Sequence, residues 1–171
     1  MKMINLNFRN LVLVFFIGVL LTACRKEDTP EDIIIGTWTA GSTTFTAMVG
    51  SKTLVQYFVD IMGLTESEAQ IFTAYFNQSI QESFTGKIVI KSDGKYTATL
   101  GGTDDSGTWS LSSDGKKLTI DSSTEDPTTF DVIELTSNKL HLNVSETSSE
   151  DLNEDGTPET LTVSVDVTFT K

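Results

Sequence analysis

The chain has 171 residues, with 24 acidic side chains against 12 basic ones and therefore a formal net charge of −12. Such an acidic chain is excluded as a nucleic-acid binder, because that function depends on Lys and Arg neutralising phosphates, and it gains no attraction to anionic lipid. Cys24 is the single cysteine, so neither an internal disulfide nor a cysteine metal cluster can form.

The first 23 residues have the pattern of a secretory signal peptide. Lys2 and Arg9 precede an apolar run over residues 11–21, and Thr22 and Ala23 follow it. The run is too short to span a bilayer, which takes about 20 apolar residues, so we expect residues 1–23 to be removed. Loss of Lys2 and Arg9 leaves 10 basic against 24 acidic residues, a net charge of −14.

The signal ends in Leu21-Thr22-Ala23-Cys24, a stretch that resembles the lipobox of bacterial lipoproteins. The resemblance implies that cleavage precedes Cys24, that this residue is acylated, and that the acyl chains anchor the protein to the outer membrane. The alternative is an ordinary secreted protein whose cysteine happens to lie at the cleavage site.

Residues 24–32 are predicted to form an acylated tether. Within it, Lys26 followed by Glu27 and Asp28 resembles the signal that exports lipoproteins of the Bacteroidetes class to the cell surface. The alternative is a solvated charged linker, which the acidic and proline-containing residues after it would continue.

The barrel domain is predicted over residues 33–171, and its first strand over residues 33–39. Gly36 and Trp38 form a Gly-x-Trp pair in this strand, where the glycine permits close approach and the indole offers a large apolar face. The pair is similar to the first strand of lipocalins and fatty-acid-binding proteins, in which the Trp packs across the closed end of the barrel.

Residues 51–84 have helical periodicity, and we expect two helices there. Gly63 supplies a left-handed stop for the first, and Thr65 with Glu68 forms a capping box that begins the second. The apolar stripe of the second helix comprises Ile71, Phe72, Tyr75, Phe76 and Ile80. Fatty-acid-binding proteins place a helix pair at this position, so two roles stay open: the stripe plugs one end of the barrel, or it forms a lid over a ligand.

From Gly86 onward the apolar residues recur with a period of two, which is typical of strands. Residues 101–106 are interpreted as a polar loop within this region. Together with the first strand we predict eight antiparallel strands, and closing their sheet removes both exposed edges. The predicted fold is therefore an all-β, eight-stranded up-and-down barrel with a two-helix insertion between strands 1 and 2. An open sandwich is the alternative.

Four segments carry a family resemblance: Gly94-Lys95-Tyr96-Thr97, Gly107-Thr108-Trp109-Ser110-Leu111, Lys116-Lys117-Leu118-Thr119-Ile120 and Lys139-Leu140-His141-Leu142. In this order they resemble the lipocalin-like (calycin-type) lipoproteins of the Bacteroidetes class, across residues 33–171. The resemblance implies a binding module for a small apolar ligand. The cavity-lining candidates are Trp38, Phe58, Phe72, Phe76, Tyr96 and Trp109.

Residues 151–159 match the first nine positions of a calcium-binding loop. Oxygen ligands stand at positions one, three, five and nine, and Gly156 at position six permits the tight turn. The candidate ligands are Asp151, Asn153, Asp155, the carbonyl of Thr157, and Glu159. Thr162 stands where an EF-hand has its bidentate Glu, and the strand alternation from Glu159 onward fits a hairpin loop better than a helical one. Two interpretations stay open: a polar turn between two strands, or a loop that holds a structural calcium ion.

No set of residues predicts a reaction. His141 is the only histidine and strand alternation places it on the outward face, so it can form neither a triad nor a histidine metal site. Asp104-Asp105 and Glu125-Asp126 are interpreted as solvated turns rather than the paired carboxylates of a hydrolase. We expect a non-enzymatic protein.

Two function classes remain. The first is the lipid-anchored binding module with a ligand in its barrel. The second is a structural or accessory protein-binding subunit of a surface nutrient-uptake or adhesion assembly, which predicts an exposed apolar patch on loops or helices.

Overall fold

The computed structural model describes residues 28–171, so the predicted signal peptide and the predicted acylation site at Cys24 lie outside the described residues. The helices of the described chain are α1 (Pro30–Ile34), α2 (Leu54–Asp60) and α3 (Glu66–Ser83). Its strands are β1 (Gly36–Val49), β2 (Lys52–Thr53), β3 (Gly86–Ile90), β4 (Lys95–Leu100), β5 (Thr103–Leu111), β6 (Lys117–Ser122), β7 (Thr128–Leu135), β8 (Lys139–Glu150) and β9 (Glu159–Thr170). None of these helices is long and apolar enough to cross a membrane.

Eight of the strands close into an antiparallel barrel. They pair in the order β1, β3, β4, β5, β6, β7, β8, β9, and β9 pairs back with β1. The two-residue strand β2 lies beside the far end of β1. Since α2 and α3 lie between the first two barrel strands, the predicted barrel with a helical insertion is confirmed, and the open sandwich is not formed.

The first strand begins later than predicted, because Ile33 and Ile34 belong to helix α1. Thr29 caps this helix: its hydroxyl accepts a hydrogen bond from the Asp32 amide, and the Asp32 carboxylate accepts one from the Thr29 amide. Pro30 occupies the first helical position, where its fixed φ favours a helix. These local signals outweigh the strand preference of two β-branched residues, and they place α1 partly within the predicted tether.

Helix α1 closes one end of the barrel over Trp38. This indole is fully buried, and its Nε1 donates a hydrogen bond of 2.6 Å to the carbonyl of Ile34. Lys171 Nζ lies 4.3 Å from the centroid of the Trp38 ring and donates to the carbonyls of Ile33 and Ile35. Gly36 has a φ of 145°, a backbone conformation that favours glycine, and a Cβ there would lie 2.7 Å from Lys171 Cε, so that the lysine side chain would have to shift.

Three strands continue beyond the others. β1 pairs with β3 only over Gly36–Thr39, and β8 pairs with β7 only as far as Asn143. The β1–β9 and β8–β9 ladders continue to Val49↔Leu161 and Glu150↔Glu159. We call this three-stranded extension, residues 43–49, 144–150 and 159–166, the ribbon.

Helices α2 and α3 pack on the ribbon. Tyr57 of α2 and Ala69 of α3 are buried, as are Ala47 and Val49 of β1, and α3 contacts β1. The predicted helix boundaries are close to those observed: Gly63 has a φ of 71°, and Thr65 and Glu68 form the capping box.

The apolar stripe of α3 does not plug the barrel, so that interpretation is wrong. Ile71 and Tyr75 are 66% and 71% exposed, and Phe72 and Phe76 are 51% and 45% exposed. The buried residue of α3 is instead Ala69, whose small side chain lets neighbouring elements come close. Burial was expected because amphipathic helices usually turn their apolar stripe inward, and here that stripe faces solvent.

Strand β5 starts earlier than predicted. Gly101 and Gly102 have φ of 57° and 79° and form a two-residue connection, with Leu100 paired to Thr103. Two consecutive left-handed residues make the tight hairpin turn that glycine favours. The predicted polar loop over residues 101–106 is therefore mostly strand, and Asp104 and Asp105 lie in β5.

Candidate functional site

The barrel encloses a cavity of about 620 Å³, within the range of roughly 300–1,000 Å³ that is usual for ligand pockets. Its walls come from inward-facing side chains of β3, β4, β6, β8 and β9, which alternate with outward-facing polar ones. They are Ile88, Ile90, Ala98, Leu118, Leu140, Leu142, Val167 and Phe169. These eight side chains carry no charge, are at most 9% exposed and belong to the packed core of the barrel, so the open part of the cavity lies toward its mouth.

The cavity opens at the end of the barrel opposite α1. The mouth is formed by the C-terminal turn of α3, the β4–β5 hairpin and the loop between β6 and β7. Gly101 ties two of these elements together, because its amide donates to the carbonyl of Thr85 at 2.8 Å and a Cβ there would lie 3.1 Å from Ser83 Cα. The helix end is thus held against the hairpin as part of the rim.

Asp105 lies between the polar mouth and the apolar walls. It pairs with Ala98 across the β4–β5 ladder, and its Oδ2 accepts a hydrogen bond from the hydroxyl of Tyr96. Its Oδ1 accepts from Ser122 Oγ at 2.8 Å and from the Ser106 amide at 2.7 Å. The carboxylate is therefore held in place by three donors, all of them neutral.

These contacts determine the charge of the pair. Partial burial by itself raises the pKa of Asp105, but the hydrogen bonds from Tyr96, Ser122 and Ser106 outweigh it, so that the pKa lies below its usual value. Burial, followed by the hydrogen bond to Asp105, raises the pKa of Tyr96. At neutral pH the site thus contains an ionised carboxylate beside a protonated phenol.

The structure does not bring the six predicted cavity residues together. Tyr96 lines the cavity, whereas Trp38 lies under α1 at the closed end. Trp109 is half-buried, and its Nε1 donates to the Lys91 carbonyl at 2.9 Å. The remaining three, Phe58, Phe72 and Phe76, lie on α2 and α3 and are not among the residues that line the cavity. Phe58 and Phe72 contact each other edge to face, with their ring centroids 6.3 Å apart.

Sequence reasoning missed Asp105 because the residues around it were assigned to a loop. The signal that could have found it is the Gly101-Gly102 pair, which permits a two-residue turn and lets β5 start at once. Counting back from Trp109 by twos through Gly107 then places Asp105 on the inward face. Glu125 and Asp126 do lie in a loop, between β6 and β7, and both are exposed.

The loop over residues 151–159 lies at the tip of the ribbon, away from the cavity. Asp151 accepts hydrogen bonds from the amides of Asp155 and Gly156, and Asp155 accepts one from the amide of Thr157. Glu159 accepts from the Tyr57 hydroxyl at 3.0 Å and the Leu152 amide at 2.9 Å.

The oxygens of this loop thus bind backbone and side-chain donors of the chain itself. Over residues 28–171, no three His, Cys, Asp or Glu side chains are grouped so as to hold a metal ion. Calcium binding by Asp151, Asn153, Asp155, Thr157 and Glu159 stays a prediction.

His141 lies on the outer face of the sheet, as alternation indicates. Its Nε2 is 3.1 Å from Asp166 Oδ1 on the neighbouring strand. The pair lies on the opposite face of the sheet from its chain neighbours Leu140, Leu142 and Val167, which line the cavity, so it adds no acid or base to that site.

Comparison with protein-family models agrees with the barrel. The family model for a lipocalin-like domain matches residues 34–142. Among solved structures, the chain is similar to a DUF4847 family protein from Bacteroides vulgatus, with 15% sequence identity and a TM-score of 0.38, over 82% of this chain and 94% of that one. A search of curated proteins gives no match.

Proposed function

Because the chain belongs to the lipocalin-like domain family, we propose that it is a non-enzymatic binding module that takes a small, largely apolar ligand into its barrel. The observation that carries this proposal is the cavity of about 620 Å³, which has apolar walls and an opening at one end. Such a pocket, whose deeper walls are apolar and whose polar and acidic groups lie toward the mouth, suits binding better than catalysis.

We further propose that an acyl anchor at Cys24 holds the module on the outer membrane, with the barrel at the cell surface. The lipobox-like sequence before Cys24 supports this proposal. Mass spectrometry of the protein purified from its own cells should find an acylated N-terminus at residue 24, and Cys24→Ala should release the protein from the membrane fraction. An N-terminus at another residue, or membrane retention of Cys24→Ala, would contradict it.

Ligand uptake can be tested with N-phenyl-1-naphthylamine, a neutral apolar fluorophore whose emission rises in an apolar pocket. We expect saturable binding at one site per chain. Ala98→Phe adds a ring on the cavity wall and should abolish binding, whereas Thr97→Phe adds the same ring at the exposed neighbouring position. Circular dichroism would verify that both variants fold. Equal binding by the two variants would place the probe outside the barrel and refute the proposal.

A second candidate is the accessory protein-binding role, which the exposed face of α3 favours. Ile71, Phe72, Tyr75 and Phe76 form a continuous apolar face there, and aromatic residues are enriched at protein interfaces. The acidic chain is unsuited to anionic lipid, so we propose a neighbouring membrane protein with a complementary apolar surface as the partner.

A pull-down with matched variants tests this role. The double variant Phe72→Ser/Tyr75→Ser removes the patch, and Ile133→Ser removes an exposed apolar side chain on β7 as a control. We expect one membrane protein to be recovered with the wild type and Ile133→Ser but not with the double variant. The same recovery with all three, or a second copy of this chain as the sole partner, would overturn the accessory role.

A further inference from the structure

We infer that the ligand of the barrel is an apolar molecule bearing a cationic group, such as a protonated amine, and that the Asp105 carboxylate binds that group. This inference rests on the proposed function, since it specifies the ligand of the same cavity. It follows from the charge around the cavity, from the partners of Asp105, and from the position of Asp105 relative to the apolar walls.

The charge of the cavity has one sign. Among the described residues that line it, Glu82, Asp104, Asp105 and Glu125 are acidic, and none is Lys, Arg or His. The acids lie at the mouth or just inside it, while the deeper walls are apolar. A ligand that matches this distribution has an apolar body and a positive end directed toward the mouth.

Asp105 is suited to bind the positive end. Its donors, Tyr96, Ser122 and the Ser106 amide, are neutral, and no ion pair joins it to a basic side chain in the part of the chain that the structure describes. Lys87 lines a second pocket together with Asp104, Asp105 and Ser106, but it forms no ion pair with Asp105. The negative charge inside the mouth is thus left for a ligand to compensate.

The carboxylate also retains capacity to accept a hydrogen bond. Oδ1 already accepts from two donors, whereas Oδ2 accepts from the Tyr96 hydroxyl alone. A carboxylate oxygen accepts about two hydrogen bonds, so Oδ2 has one position for an N–H of the ligand. Since Tyr96 and Ala98 also line the cavity, an ammonium group on Oδ2 would leave its alkyl chain against the apolar walls.

Anionic ligands meet the opposite situation. A fatty acid in the same pose would place its carboxylate beside Asp105, where like charges repel strongly in a partly desolvated site. Within residues 28–171, no basic side chain lines the cavity to offset that repulsion. The barrel should therefore discriminate against carboxylates of the same chain length.

The test uses three ligands that differ only in their head group: decylamine, decanol and decanoate, each measured at neutral pH by displacement of N-phenyl-1-naphthylamine below its micelle concentration. We expect decylamine to bind roughly tenfold or more tightly than decanol, because hydrogen bonds to charged groups are the stronger ones. Decanoate should bind most weakly. In Asp105→Asn the ratio of amine to alcohol affinity should fall to roughly threefold or less.

Asp93→Asn is the matched control, because it removes the same charge from the turn between β3 and β4 at the closed end and should leave the ratio unchanged. If decanol and decanoate bind as tightly as decylamine to the wild type, the inference is wrong while the proposed function stands. If the probe binds and none of the three displaces it, the inference is wrong; if the probe itself does not bind, the proposed function fails as well. The wild-type series decides the inference even if Asp105→Asn does not fold.

Discussion

Substitution of Tyr96 by Phe isolates the hydrogen bond that holds Asp105. Tyr96 is only 2% exposed and its hydroxyl donates to Asp105 Oδ2. Phe keeps the ring in the cavity wall and removes only the O–H group. Because the ring remains, any effect reports on the polar contact rather than on packing.

The expected cost at pH 7 is about 1.5 kcal/mol. Hydrogen bonds to charged groups contribute about 1.5–3 kcal/mol, and the lower end applies because Asp105 is half-buried and keeps its bonds to Ser122 and Ser106. Urea unfolding followed by tryptophan fluorescence would measure this as a lower midpoint with an unchanged m-value.

The cost should depend on pH. The pKa of Asp105 is lowered in the folded protein, against the effect of its partial burial, by its hydrogen bonds, the first of them from Tyr96. A carboxyl with a lowered folded pKa contributes stability that is complete above its unfolded pKa, about 3.9, and is lost as the pH falls through the folded value. Phe at position 96 raises that folded pKa toward the ordinary one. The two proteins should therefore differ most at neutral pH and least in acid.

Two results would refute this reasoning. One is a difference below about 0.5 kcal/mol at pH 7, which is the scatter expected of substitutions that remove no specific contact. The other is a difference that stays constant from neutral pH into the acid range, since a neutral carboxyl should bind the phenol more weakly.

Three further predictions concern other parts of the fold. Burial, and then the hydrogen bond to Glu159, raises the pKa of Tyr57 to about 12. Ultraviolet titration of the wild type and of Tyr57→Phe should differ by one phenol that ionises near pH 12. The stability that this phenol contributes should be complete below about pH 10 and be lost as the pH rises through 12. Gly102→Val forces a β-branched side chain into a φ of 79° and should cost about 1–3 kcal/mol in thermal or urea unfolding; wild-type stability would contradict the tight-turn assignment. If residues 151–159 bind calcium, saturating Ca²⁺ should raise the Tm by about 5 °C through mass action, and Asp155→Asn should remove the increase; a Tm that does not respond would refute the calcium prediction.

Much of the barrel could be predicted because its signals are local and repeated. Period-two alternation and short polar connections gave the strands, and Gly63 with the Thr65–Glu68 capping box gave the helix boundaries. Closure followed from the cost of exposed edges. Each of these inferences needs only neighbouring residues and one general rule.

The features that could not be predicted depend on which of two competing local preferences prevails, or on tertiary packing. Thr29 and Pro30 favour a helix over the residues that follow, which include isoleucines predicted as strand. The Gly101-Gly102 turn places Asp105 in a strand of the barrel, whereas it was predicted to lie in a loop. The orientation of α3 was not predictable from its own sequence, because the helix buries Ala69 rather than its aromatic stripe. The cavity residues were misplaced for the same reason, since large aromatic side chains were weighted above Ile, Leu and Val on the strands.

The end of the barrel that α1 closes, with Lys171 and Trp38 packed beneath it, determines how an anchored molecule would be oriented on the membrane. Cys24 precedes Pro30 by six residues, a reach of at most about 21 Å in extended chain. If Cys24 is acylated, the closed end of the barrel would lie close to the membrane and the mouth of the cavity would face away from it. A ligand would then enter the cavity from the aqueous medium. Molecules dissolved in the membrane below would have no direct access to the mouth.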